Sequence, residues 1–280
     1  MRLVTYDAGD GARAGELRGD TIFDLWGQGE PIREEDRRLS GLLRGGLLDE
    51  LEPAPGDGVA LDSVRLLPPI GDPGKIICIG LNYRSHAAEA GIEAPGQPTF
   101  FGKFANALAA PGAAVPLPDG SEKVDYEAEI AVVIGSRCRA VEPGAALDHV
   151  AGYMLFNDLS ARDWQFATPQ WMPGKVFDGA APCGPALVTG EEAGAHDAIE
   201  FRLALNGETM QEASTADLIH SVPEIVAHLS RLMTLEPGDI IATGTPAGVG
   251  SVREPRVWLK PGDEIVISSP TLGELRTTIE

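Results

Sequence analysis

The chain has 280 residues, 43% of them hydrophobic, with a formal net charge of −20 and no block of Lys/Arg. That size and composition suit a packed globular protein of one large domain, or a large domain with a small companion, while the charge repels a nucleic-acid backbone or an anionic membrane over most of the surface. No apolar run approaches the roughly 20 residues that span a bilayer, and MRLVTYDAGDG lacks a signal-peptide pattern, so a cytoplasmic protein without nucleic-acid or membrane partners is expected.

In chain order, RLVTY, RAGEL and TIFDL predict short strands of a small sheet, separated by the turn material DAGDGA and RGD. Residues 30–51 are polar and helix-like, broken by Gly41, Gly45 and Gly46, and EPAPGDG at 52–58 is linker chemistry. Dense Pro and Gly in VRLLPPIGDPG set a boundary near residue 70, giving a small N-terminal α/β domain over 1–70 and a larger domain over 71–280. The remainder is rich in strand patterns: IICIG, EIAVVIG, AGYMLFN, PALVTG, EFRLALNG, DIIATG, RVWLK and EIVIS. Few are joined by a crossover helix, so an α+β, β-rich mixed roll or barrel is expected rather than a doubly wound sheet.

One helix is clear in SVPEIVAHLSRLM, where Ser221 caps, Pro223 takes an early helical position and Glu224 closes a capping box before Ile225, Val226, Leu229 and Met233. LEPGDII and LKPGDEIVI place Pro-Gly for type II turns before strands. Cys78, Cys138 and Cys183 are odd in number and far apart, which predicts buried free thiols instead of a disulfide or zinc framework.

KVDYEAEIAVVIG carries the densest chemistry. A strand over residues 126–134 puts Asp125, Glu127 and Glu129 on one face by simple alternation. An E-x-E in an acidic chain usually lies on a solvated face, but Asp158 adds a third acid at the end of GYMLFN, another apolar strand. Three acids without Cys or helix-spaced His call for a hard divalent ion, Mg²⁺ or Mn²⁺ ahead of Ca²⁺. That also meets the need of so acidic a chain for local cations if its substrate is an anion. His86 and Glu89, three apart after IICIG, are neighbours on any helix, and a carboxylate that holds one imidazole nitrogen leaves the other as a base for water.

Taken together, KIICIGLNYRSHAAE, PTFFGK, DYEAEIAVVIG, GYMLFNDLSARDWQ, QWMPGKVFDGAAPCGP, LNGE, LSRLMTLEPGDIIATGTPAGVG and LKPGDEIVI resemble the fumarylacetoacetate hydrolase family over residues 73–273. The resemblance implies that family's mixed β-roll, usually a homodimer, with Glu127, Glu129 and Asp158 binding Mg²⁺ or Mn²⁺. It further implies a water-activating dyad of His86 and Glu89, with Lys175 as the cation for a developing enolate. Arg162, Gln165 and Thr245 would contact substrate oxygens, and Tyr83 and Lys103 would line the pocket.

The activity implied is metal-dependent hydrolysis of a C–C bond in a 1,3-dicarbonyl acid, acylpyruvate-like or diketo. The alternatives are an oxaloacetate-like decarboxylase or a dienoate or keto–enol isomerase on the same scaffold, and, more remotely, a non-catalytic metal-stabilised binding protein. The sequence departs from the family pattern at Leu81, where some acylpyruvate-cleaving members carry arginine, at Ser85, where Asp is frequent, and at Val176, where Ser is common. Trp164, Phe166 and Trp171 are candidates for the pocket wall or for packing.

Overall fold

The structure, a computed structural model, describes residues 1–25, 37–48 and 56–280. Parts of the helix-like stretch at 30–51 and of the linker at 52–58 lie outside those residues. The N-terminal strands are β1 (Arg2–Asp7), β2 (Ala12–Arg18) and β3 (Thr21–Asp24), followed by α1 (Leu39–Arg44), β4 (Val59–Ala60) and β5 (Arg65–Leu67). Next come β6 (Ile76–Gly80), α2 (Arg84–Ala90), β7 (Thr99–Lys103), β8 (Leu108–Ala109), β9 (Ala114–Val115) and β10 (Val124–Asp125). The middle of the chain gives β11 (Ala128–Ile134), β12 (Val150–Asn157), β13 (Ser160–Ala161), α3 (Arg162–Gln165), β14 (Ala181–Thr189) and α4 (Gly190–Ala193). It closes with β15 (Glu200–Leu205), β16 (Glu208–Ser214), α5 (Val222–Leu232), β17 (Ile240–Ala242), β18 (Glu264–Ser269) and β19 (Gly273–Ile279).

The fold is strand-rich, as the sequence predicts. The main sheet runs β4-β3-β2-β1-β14-β12-β11-β17-β6-β7, and a second runs β16-β15-β18-β19-β9. AEIAVVI can be apolar at every position but Glu129 because β11 is buried at every residue, between antiparallel partners β12 and β17. Such double-sided burial removes the polar alternation of a half-exposed strand. The N-terminal strands join this same sheet, since β1 pairs with β14 through Arg2↔Val188 and Leu3↔Leu187.

The α5 helix forms where its capping signal lies: Glu224 accepts from the backbone N–H and the hydroxyl of Ser221, each at 2.7 Å. Both Pro-Gly turns are also present. Gly238 and Gly262 take φ of +88° and +93°, and Asp239 and Asp263 donate their N–H to the carbonyls of Glu236 and Lys260. Cys78, Cys138 and Cys183 are buried free thiols. Among the described residues no helix is long and apolar enough to cross a membrane.

Two local expectations are corrected. RVWLK forms no strand; it is tied down by isolated bonds, Val257 N–H to Gly250 O and Leu259 N–H to Val124 O. The strand expected over 126–134 begins only at Ala128, because β10 breaks away to pair with β13. Asp125 therefore leaves the carboxylate face.

Register then decides where chemistry can gather. Ala128 sits opposite Asn157, Ala131 opposite Ala242, and Ala242 beside Cys78. The start of β11 and the ends of β12, β17 and β6 thus meet along one edge of the sheet.

Candidate active site

Along that edge, Glu127, Glu129 and Asp158 bring one carboxylate oxygen each within 4.8 Å of one another, and all three side chains are buried. Local backbone bonds hold them there: Asp158 donates its N–H to Glu127 O at 2.9 Å, and Glu127 donates its own to Asn157 Oδ1 at 3.1 Å. Gly244 N–H reaches Glu129 Oε2 at 2.8 Å. Gly244 stands at φ +99°, and a Cβ there would lie 3.0 Å from Ile79 O and from Asn82 Cβ. Gly244→Ala is accordingly expected to lower stability by about 1–3 kcal/mol through the strained backbone alone, and an unchanged urea midpoint would refute it.

Three cations press on these acids. Lys175 Nζ lies 2.7 Å from Glu127 Oε2 and 2.9 Å from Asp158 Oδ2, Lys103 Nζ lies 2.6 Å from Asp158 Oδ1, and Arg162 Nη1 lies 2.6 Å from Glu127 Oε1. Arg162 is shared, because its Nε and Nη2 also hold Asp125 at 2.9 and 2.8 Å. Lys175 is aimed by a short helical turn over residues 172–174, and Gly174 is required there: a Cβ would meet Ala161 O at 2.4 Å.

Among the described residues the cluster holds four acids against three cations, and the deficit falls on Glu129. Burial pushes the Glu127 carboxyl up, but Lys175 and Arg162 outweigh it and hold the group at about 2. Glu129 has no such partner among the described residues, and burial, then Asp158 and Glu127, push its carboxyl well above the ordinary range. Each like-charge pair at this spacing costs roughly 3–4 kcal/mol at an effective dielectric of about 20. A buried all-oxygen donor set with one unbalanced negative charge fits a hard divalent cation such as Mg²⁺ or Mn²⁺.

The α2 helix brings His86 to the same place. His86 Nδ1 lies 3.3 Å from Glu89 Oε2, and Glu89 is itself fixed by the Gly248 N–H at 3.0 and 3.2 Å. A carboxylate only accepts, so Nδ1 is the nitrogen that donates to Glu89, and in the neutral ring that leaves the lone pair on Nε2. His86, the triad, Lys175, Arg162, Gln165 and Thr245 all line one cavity of about 300 Å³.

Lys103 and Tyr83 do not line it. The Lys103 side chain is fully buried behind Asp158, and Tyr83 packs edge-on against Phe201 with burial raising its phenol. Phe166 and Trp171 reach the cavity wall, whereas Trp164 packs against the core. Thr245 has its hydroxyl engaged twice, donating to Ala128 O at 3.0 Å and accepting from Gln211 Nε2 at 2.9 Å. Gln211 had no local signal in the sequence, since it reaches the site through tertiary contacts.

Residues 75–280 match the family described as fumarylacetoacetate (FAA) hydrolase C-terminal. The chain belongs to the fumarylacetoacetate hydrolase family. It is 38% identical over its whole length, and 97% of the relative's, to a fumarylacetoacetate hydrolase domain-containing protein 2 homolog of Dictyostelium discoideum. It is 42% identical over 75% of the chain, and 68% of the relative, to a mitochondrial oxaloacetate tautomerase of Bos taurus. Among solved structures, the 2-hydroxyhepta-2,4-diene-1,7-dioate isomerase of Mycobacterium marinum superposes with a TM-score of 0.81 at 32% identity, covering all of this chain and 98% of that one. As a fumarylacetoacetate hydrolase family member the chain belongs among enzymes of small keto-acid chemistry, and its buried triad is a fitting seat for a metal.

Proposed function

We propose that the chain is a hydrolase dependent on Mg²⁺ or Mn²⁺ that cleaves a C–C bond in a 1,3-dicarbonyl acid, acylpyruvate-like or diketo. The observation that carries this reading is the His86–Glu89 contact opening onto the cavity that holds the triad and Lys175. Glu127, Glu129 and Asp158 would hold the ion. Bound there, the ion supplies Lewis-acid polarisation of the keto-acid oxygens and offsets the substrate's charge.

The chain's own residues supply the rest. Glu89 fixes the imidazole, and His86 Nε2 takes a proton from water as its oxygen bonds to the remote carbonyl carbon. The bond from that carbon to the central carbon breaks, and its electron pair becomes the enolate of the keto-acid fragment. The Lys175 ammonium faces that developing charge. The proton held by His86 then passes to the enolate carbon, releasing a carboxylic acid and an α-keto acid. Arg162 and Gln165 would orient substrate oxygens, and Thr245 would offer its remaining lone pair.

A second reading draws on the relatives themselves: with an oxaloacetate tautomerase and a dienedioate isomerase among them, the same base and cation would shift a proton, or expel CO₂, without attack by water. Turnover of acylpyruvates, diketo acids and oxaloacetate in heavy-oxygen water separates the two. Hydrolysis places the label in the released carboxylic acid; decarboxylation or tautomerisation places none in a new carboxylate. Exhaustive chelation is expected to abolish turnover and Mg²⁺ or Mn²⁺ to restore it, and activity that survives chelation would overturn the metal role.

A further inference from the structure

The cavity changes character from floor to mouth. Its floor is carboxylates and their cations; its mouth is apolar. Ile92, Phe166 and Val252 line the opening and are 55%, 66% and 41% exposed, and Leu81, Phe101 and Trp171 connect them to the floor. Phe101 meets Trp171 edge-on at 6.2 Å, and its ring lies 5.1 Å from the Lys175 ammonium. The arginine and the two lysines near the floor are spoken for by carboxylates at 2.6–2.9 Å, and the mouth presents no cationic side chain among the described residues.

Leu81 adds an independent observation. It holds φ of +53°, a left-handed conformation that ordinary side chains avoid, at a cost of order 1–3 kcal/mol. Glycine would take that backbone without strain. A leucine kept there at such a cost, with its side chain on the cavity wall, points to a role in what the cavity holds.

We infer that the mouth is a specificity subsite for an uncharged, apolar acyl tail, so that this chain's substrates are keto acids with alkyl or aryl groups remote from the carboxylate, and that Leu81 rejects a distal carboxylate. The inference rests on the keto-acid reading above. A distal carboxylate in this mouth loses its water without gaining a cation, and does so on a chain of net charge −20. An alkyl tail is favoured there, by about 0.8 kcal/mol or roughly fourfold in affinity for each methylene buried.

Calorimetry with Mg²⁺ and three ligands that have no 1,3-dicarbonyl bond to cleave tests the subsite apart from the reaction. The ligands are pyruvate, α-keto octanoic acid and α-keto octanedioic acid, the last two matched except for the terminal carboxylate. The octanoic acid is expected to bind at least tenfold more tightly than either of the others, and Leu81→Arg to shrink its advantage over the diacid at least tenfold. Ile92→Lys, at an exposed rim position, is expected to act in the same direction and serves if Leu81→Arg does not fold. Pyruvate binding with no gain from the tail, or with the diacid preferred, overturns the subsite and leaves the keto-acid floor standing. No binding of any of the three overturns both.

Discussion

His86→Ala is expected to lower hydrolysis by about 10²–10⁴-fold, the usual worth of a positioned general base, while metal affinity and thermal stability stay as they are. The imidazole touches none of the triad oxygens by a hydrogen bond; its bonded partner is Glu89, on its own helix. Removing it therefore takes away the base and leaves the carboxylates in place. Glu89→Gln is expected to cost less, because the Gly248 N–H still fixes the side chain, but an amide no longer dictates which imidazole nitrogen carries the proton. Full hydrolysis by His86→Ala with Mg²⁺ bound would remove the dyad from the mechanism. Loss of tautomerisation together with hydrolysis would show one base serving both reactions, whereas tautomerisation that survives would assign the proton shift to another group.

Much of this site is readable from sequence because its parts sit at strand ends. IICIG, IAVVI and GYMLF are contiguous apolar runs since their strands are buried on both faces, so the acids at their ends, Glu127 and Glu129 before one and Asp158 after another, stand out. What escapes is whatever depends on how distant segments close over one another. Asp125 looks like a third member of an alternating acidic face with Glu127 and Glu129. It instead receives the N–H groups of Gly250 and Ser251 at 2.7 and 3.0 Å and binds Arg162, because the strand breaks at Tyr126 and Glu127. Lys103 reads as a pocket residue from its motif but pairs with Asp158 from the buried side. Gln211 clamps Thr245 and accepts the Ala128 N–H at 2.9 Å from a β16 position with no chemical pattern around it. The apolar mouth is likewise assembled from four separated segments, and no periodicity joins Leu81 to Ile92, Phe166 and Val252.

Glu129→Gln is expected to raise the stability of the metal-free protein while abolishing metal binding and turnover. With four acids set against three cations, burial together with Asp158 and Glu127 pushes the Glu129 carboxyl well above its ordinary 4.5. For an acid raised on folding, the unfolded chain ionises first. Metal-free stability therefore falls as pH rises above about 4.5, by about 1.4 kcal/mol per unit until the folded group ionises. Glutamine cannot ionise, keeps the acceptor for Gly244 N–H, and turns an amide donor toward Asp158. The variant should recover most of that loss, read as a higher Tm at pH 7, and lose the downward slope above pH 4.5. Glu127 acts in a different window: held at about 2, it favours folding above 4.5, and its contribution disappears only as pH falls from there toward 2, so the two acids do not mask each other. Lys175→Met should move stability in the opposite direction, down by about 3–5 kcal/mol, because it strips Glu127 and Asp158 of a buried counter-charge. Added Mg²⁺ should stabilise the wild type by mass action and leave Glu129→Gln unmoved. If Glu129→Gln melts below the metal-free wild type at pH 7, the charge imbalance is not what the cluster stores, and the case for a divalent ion as its missing partner loses its main physical support.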